Sequence, residues 1–336
     1  MGAWVAAFVW IGVVSGCKPS GSGGAIGGSS GMATKECTGL PPLAQKASYT
    51  VGFVPIYEPD NEWGVTNTSD MIREAENRGH KLSYTPLSKG DAAEQVARMQ
   101  ALIDAKVDVI MLRPMDASAL APSVVAARKA CIPVFTENRF LDPTKAIPGT
   151  DYVTGIGADP VYQGELVAGW LIKSSGGNAT IIELEGTAGS SSAIGRKKGF
   201  DTRIATQPGM RIVASQAADF ERPKAHEVCK QLLSANPTAT VVYTHGDVMA
   251  LGALDAMKEV GKAPGKDMTV VSIDGLKEAV RHVIDGTIAA IAFNDPRFGA
   301  ISFDTIEQYA KGQTIPPRVT VKGLIIDRTN AQWVYP

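Results

Sequence analysis

Histidine, cysteine and aromatic residues are all scarce in this chain of 336 residues: four histidines, four cysteines, and 7% Phe, Trp and Tyr together. The histidines stand far apart at His80, His226, His245 and His282, as do the cysteines at Cys17, Cys37, Cys131 and Cys229. Neither set has the close spacing of a zinc site, and the cysteines form no framework of a disulfide-rich mini-domain. Charge of one sign is lacking too, since 33 Lys and Arg against 34 Asp and Glu leave a formal net charge of -1. Without a basic excess there is no electrostatic footprint for nucleic acid or for an anionic membrane surface. No internal apolar run approaches the roughly 18 residues that span a bilayer, which argues against an integral membrane protein. There is no G-x-S-x-G elbow and no P-loop, and Gly155-Ile156-Gly157 meets Pro160 where a dinucleotide fingerprint needs its third glycine. Neither catalysis nor a cofactor nor a metal is therefore expected.

What is present begins with an uncharged stretch over residues 1–16, apolar from Ala3 to Val14 and closing on Val14-Ser15-Gly16-Cys17. An apolar run of this length followed by small residues reads as an export signal, too short for a membrane span. With a cysteine directly after the small pair it resembles the bacterial lipobox, which implies cleavage before Cys17 and a lipid on its sulfur. Residues 18–31 are nearly all Gly, Ser and Pro and read as a flexible tether, with the folded body starting near Tyr49. A Cys37 to Cys131 bridge is open to a chain outside the cytoplasm, and Cys229 falls at a buried position of an amphipathic helix.

Across the body, short β-rich runs recur every 25 to 30 residues with amphipathic segments between them. YTVGFVPI from Tyr49, VDVIML from Val107, TIIEL from Thr180, TVVYT from Thr240 and TVVSI from Thr269 are the clearest. Further runs at Lys81–Thr85, Pro133–Thr136, Tyr152–Gly157, Arg211–Ser215 and Ile288–Phe293 make ten strands. Between them Ala92, Val96, Met99, Leu102 and Ile103 keep helical spacing. This alternation predicts α/β architecture: two doubly wound parallel-sheet lobes of about five strands each, with the ligand crevice outside the carboxyl ends of the strands.

The residues just after the strands are accordingly the candidate site. They are Tyr57 and Glu58, Arg113, Asn138 and Arg139, Asp159, Thr187, Phe220 and Arg222, His245 and Asp247, Asp274, and Asn294. Carboxylates accept from hydroxyls, guanidinium groups donate to them, and aromatic faces cover the C–H surface of a ring, a mixture suited to a neutral polyhydroxy ligand. Several of these positions also have structural readings: Asp247 as a helix N-cap, Asp274 as a turn former before Gly275, and Arg139 as a surface partner of Asp142 or Asp159.

At IPVF from Ile132, ELEGT from Glu183, SAIGRKKGF from Ser192, SQAADFER from Ser215, VYTHGDVMALGA from Val242 and SIDG from Ser272, the chain resembles the periplasmic sugar-binding proteins of ABC importers. Within that ribose-binding-protein-like family it is most similar to the galactofuranose-binding branch. The resemblance implies a type I binding protein of two lobes joined by a three-strand hinge, with Arg196, Phe220, Arg222 and Asp274 at the sugar and Trp63 packed near it. Four positions depart from the family pattern: Asn138 replaces an Asp, Gly246 an Asn, Gly64 an Arg and Pro160 an Asn, so the identity of the sugar is left open.

The resulting expectation is an extracytoplasmic substrate-binding lipoprotein that captures a monosaccharide (galactofuranose, pentose or hexose) and presents it to an ABC permease. It would be a monomer, attached to the membrane by lipid alone. Alternatives are a sugar sensor docking on a membrane receptor and, more remotely, an enzyme on a similar frame; a DNA-binding repressor would need a helix pair where the tether stands. The expected division is a signal over 1–16, a tether over 17–48, one lobe over 49–157 plus 295–322 and the other over 158–294 plus 323–336, crossing near Gly157, Asn294 and Gly323.

Overall fold

A computed structural model describes residues 36–56 and 61–334. The first lobe's strands are β1 (Thr50–Val54), β2 (Lys81–Tyr84), β3 (Val109–Leu112), β4 (Val134–Glu137) and β5 (Thr154–Ala158), alternating with helices α1 (Glu62–Asn77), α2 (Ala92–Asp104) and α3 (Ala121–Lys129). The second lobe follows as α4 (Pro160–Ser175), β6 (Asn178–Glu185), α5 (Ser191–Ile204), β7 (Gly209–Ala217), α6 (Arg222–Ala235) and β8 (Val241–Thr244). It continues through α7 (Asp247–Glu259), β9 (Thr269–Asp274), α8 (Lys277–Asp285) and β10 (Ala290–Phe293). Then come α9 (Gly299–Ala310), β11 (Arg318–Val321), β12 (Ile325–Asp327) and α10 (Ala331–Val334).

The strands form two six-stranded sheets, ordered β11-β5-β4-β3-β1-β2 and β12-β10-β9-β8-β6-β7. Every pairing is parallel except β10 with β12, which is antiparallel. The alternation explains why both faces must be covered. On β3, Val109 and Met111 join one core with Val51, Phe53 and Phe303, while Ile110 and Leu112 join another with Met99, Leu120 and Val124. On β9, Val271 and Ile273 pack with Phe200 and Tyr243, and Val270 packs on the opposite face with Leu254 and Met257. Strands apolar on both faces are the mark of a parallel sheet sandwiched by helices.

The two strands beyond the expected ten are β11 and β12, which complete the sheets at their edges. Arg318–Val321 alternates exposed and half-buried residues and β12 has only three residues, so neither shows a continuous apolar run. Cys37 and Cys131 are joined by a disulfide that ties the segment ahead of β1 to the end of α3. Cys229 is a buried free thiol on α6, pushed up to about 12 by that burial. Among the described residues, no helix is long and apolar enough to cross a membrane.

Candidate ligand-binding site

Helix α5 is set against α4 at glycines. A Cβ on Gly164 would stand 2.2 Å from the Arg196 carbonyl oxygen, and one on Gly199 would stand 2.0 Å from that of Val161. Backbone meets backbone there, so the single turn carrying Arg196 has one position available. From it the guanidinium reaches inward: Nε donates to Gln163 Oε1 at 3.0 Å, Nη2 to Asp274 Oδ1 at 3.0 Å, and Nη1 to the His245 carbonyl. Asp274 ends β9, and its Oδ1 also accepts from Asn294 Nδ2 at 3.2 Å, one strand over.

The opposite wall comes from α1 and the end of β4. Asn61 caps α1 by accepting from the Trp63 backbone N–H at 3.0 Å, which aims the indole toward the second lobe. Its Nε1 donates to the Asn294 carbonyl at 2.8 Å, and Arg113 lies over the ring 5.4 Å from its centroid. Behind it Asn67 Nδ2 donates to Glu137 Oε2 at 3.2 Å while accepting from Arg113 at 3.3 Å. The lobes also touch directly: Ala117 N–H donates to the Gly189 carbonyl at 3.1 Å and Phe140 N–H to Ser191 Oγ at 2.8 Å.

Between the walls lies a small polar cavity lined by Asn61, Trp63, Asn138, Arg139, Ser192, Arg196, Phe220, Asp274 and Asn294. The Phe220 ring stands between two guanidinium groups, 5.3 Å from Arg139 and 5.8 Å from Arg196. Of the six non-glycine residues with positive φ among the described residues, three (Asn138, Phe220 and Asp274) line this one cavity. Such backbone is costly and persists where packing enforces it, which is common at binding sites. Burial, reinforced by the neighbouring Asp274 carboxylate, pushes Asp247 up to about 7. Asp274 is raised as well, by burial working against Arg196 and Asn294. Fixed donors, fixed acceptors and two aromatic rings in a largely desolvated space give strong, directional hydrogen bonds to a small polar ligand.

Trp63, Asn138, Arg139, Arg196, Phe220, Asp274 and Asn294, all expected from the sequence, meet in this cavity. Arg139 is 4% exposed and faces Phe220, so it is not a surface bridge. Three other candidates lie elsewhere. Asp159 caps α4 by accepting from Val161 N–H at 2.9 Å and borders a separate groove. Arg222 opens α6 and pairs with Asp255 at 2.9 Å and Glu278 at 3.2 Å on the exposed surface. His245 is wholly buried, with its imidazole turned into the lobe toward Glu183. Asp247 is not a cap of its own helix: its carboxylate accepts from the Gly275 and Leu276 N–H groups at 2.6 and 2.8 Å. Tyr57, Glu58 and Cys17 lie outside the described residues.

Asn61 and Ser192 line the cavity without having been singled out. Asn61 had a signal, an Asn immediately before a helix; Ser192 opens the SAIGRKKGF segment that carries Arg196. Gly246 lets Asp274 and Phe220 approach closely, since a Cβ there would stand 3.1 Å from both Asp274 Oδ2 and Phe220 Cδ1, crowding them.

Residues 51–314 match the family model of the periplasmic binding protein domain. The chain is 34% identical over 284 residues to the galactofuranose-binding protein YtfQ of Escherichia coli strain K12, covering 83% of this chain and 87% of that protein. It is 34% identical over 263 residues to the ribose import binding protein RbsB of Salmonella typhimurium strain LT2, covering 78% and 85% respectively. In fold it is similar to the arabinose-transporter binding protein of Shewanella sp. ANA-3, solved with α- and β-L-arabinofuranose, at TM-score 0.79 and 31% identity over 85% of this chain and 94% of that one. By sequence, by its two-sheet architecture and by a polar cleft between the sheets, the chain belongs to the periplasmic binding protein family.

Proposed function

We propose that the protein is the extracytoplasmic sugar-binding component of an ABC-type importer and captures one monosaccharide between its lobes. The observation that carries this reading is the cavity itself, where Arg139, Arg196, Asp274 and Asn294 converge with Trp63 and Phe220 from both lobes. The relatives named above are described as binding galactofuranose, ribose and arabinofuranose, which makes a five- or six-carbon sugar, including its furanose form, the first ligand to test. Delivery to a permease needs no chemistry at the site, only capture and release. The lobes cross three times, between β5 and α4, after β10, and between β11 and β12, and act as a hinge. Cys17, with its lipobox-like surroundings, would anchor the protein, and Cys17→Ser should then release it from the membrane fraction.

A thermal-shift screen of the purified protein against pentoses, hexoses and polyols tests the assignment. Ligand binding only to the native state raises stability by about 2.7 kcal/mol at 100 times its dissociation constant. A panel in which no sugar raises the midpoint and none gives calorimetric heat would overturn it.

A further inference from the structure

We propose that His245 is a positioning residue of the ligand site: from beneath the cavity, its neutral imidazole holds Gly186 and thereby the Phe220 ring. The inference rests on the sugar-site reading above and extends it to a residue that does not touch ligand.

The tautomer follows from geometry. The Gly186 backbone N–H points at His245 Nδ1 at 3.2 Å, and a backbone N–H can only donate, so Nδ1 carries the lone pair. The proton therefore sits on Nε2, which donates to Glu183 Oε1 at 2.9 Å. Gly186 in turn forms the floor under Phe220, because a Cβ there would lie 2.0 Å from Phe220 Cζ. The His245 carbonyl takes a hydrogen bond from Arg196 Nη1. One buried residue thus links to both the aromatic platform and the guanidinium that flanks it.

The surroundings hold the ring from its Nε2 side as well. Glu183 from β6 also accepts from Lys197 Nζ of α5 at 2.5 Å and from Ser215 Oγ of β7 at 2.5 Å. Lys197 lies 3.2 Å from Asp201 and 3.3 Å from Glu185, and the Tyr243 ring of β8 is 5.2 Å from the imidazole. Burial pushes Glu183 up, but hydrogen bonds from His245, Lys197 and Ser215 outweigh it and hold the carboxyl below its ordinary value. Nδ1 has to accept here: a donor in its place would face the Gly186 N–H in a dry interior, and relief would require Gly186 to move together with the ring resting on it.

Calorimetric titration with a sugar from the screen reads the positioning. His245→Gln supplies one acceptor and one donor, so it should bind within about threefold of wild type, whereas His245→Leu offers the Gly186 N–H no acceptor and should raise Kd about tenfold or more. NMR adds a readout that a mere loss of stability would not move: the Phe220 ring signals should shift in His245→Leu and keep their wild-type positions in His245→Gln. His245→Leu binding within about threefold of wild type, or His245→Gln weakened as much as His245→Leu, overturns the proposal. Should His245→Leu not fold, His245→Asn, whose shorter amide does not span from Gly186 to Glu183, takes its place under the same criteria. Should no sugar bind, the sugar reading fails instead, and the NMR comparison of the ligand-free variants still decides this one: Phe220 signals unmoved in His245→Leu overturn it.

Discussion

Asp274→Asn separates the charge of the site from its shape. Asp274 Oδ1 accepts from Arg196 Nη2 at 3.0 Å and Asn294 Nδ2 at 3.2 Å, and an amide oxygen in the same place still accepts both. What disappears is the negative charge facing Arg196, a side chain only 3% exposed. Hydrogen bonds to charged groups contribute about 1.5–3 kcal/mol against about 0.5–1.5 for neutral ones, so two weakened bonds cost about 1–3 kcal/mol of stability. At about 2–4 °C per kcal/mol, the midpoint should fall by roughly 2–12 °C. Oδ2, which packs against Gly246, changes from an anionic acceptor to a donor. Losing one charge-assisted bond to a sugar hydroxyl costs about 1.5–3 kcal/mol, or about 10- to 150-fold in Kd. Arg222→Ala is the control: its two ion pairs are exposed and worth about 0–1 kcal/mol, and it lies outside the cavity, so Kd should stay within about twofold. Isothermal calorimetry on both folded variants is decisive. Asp274→Asn binding within about threefold of wild type would remove the carboxylate from ligand recognition, and a large loss in Arg222→Ala would misplace the site.

Three further outcomes are expected. Replacing both Cys37 and Cys131 by Ser opens a loop spanning 94 residues and should lower unfolding free energy by about 2–5 kcal/mol, read from denaturant titration. Asp247, raised by burial and by the Asp274 carboxylate, keeps its proton where the unfolded chain has lost it, so stability should fall as pH rises above the ordinary carboxylate range; Asp247→Asn should lessen that slope in thermal scans. Small-angle scattering should show the radius of gyration decreasing on saturation with the identified sugar, and an unchanged value would argue against hinge closure.

Strands buried on both faces were legible because their signal is local: VIML on β3 and VVSI on β9 are buried throughout. Arg318–Val321 and Ile325–Asp327 were not, since an edge strand is defined by its neighbour and carries little apolar content itself. The site followed the same division. Looking at strand ends located Asn138, Arg139, Asp274 and Asn294, because sheet topology dictates where a crevice opens. It could not say which of two adjacent residues turns inward. Thus Phe220 enters the cavity while Arg222 heads a helix on the surface, and His245 turns below the cavity while its carbonyl serves Arg196. Ser192 and Asn61 belong to helix starts, whose approach to the site depends on interhelix packing that no strand pattern encodes.

The Cys37–Cys131 bridge has a mechanical consequence. Cys37 is also held by its own N–H to the Lys129 carbonyl at 3.2 Å and by Arg128 Nη1 to its carbonyl at 3.0 Å. Any pull applied along the chain from the amino-terminal side of Cys37 passes through the sulfur–sulfur bond into the end of α3, next to β4. The segment between Cys37 and β1 lies inside the covalent loop and carries none of that load. β1, second from the edge of its sheet and adjacent to the strand β3, is therefore spared a peeling force, and the sheet that helps form the cleft keeps its register under tension.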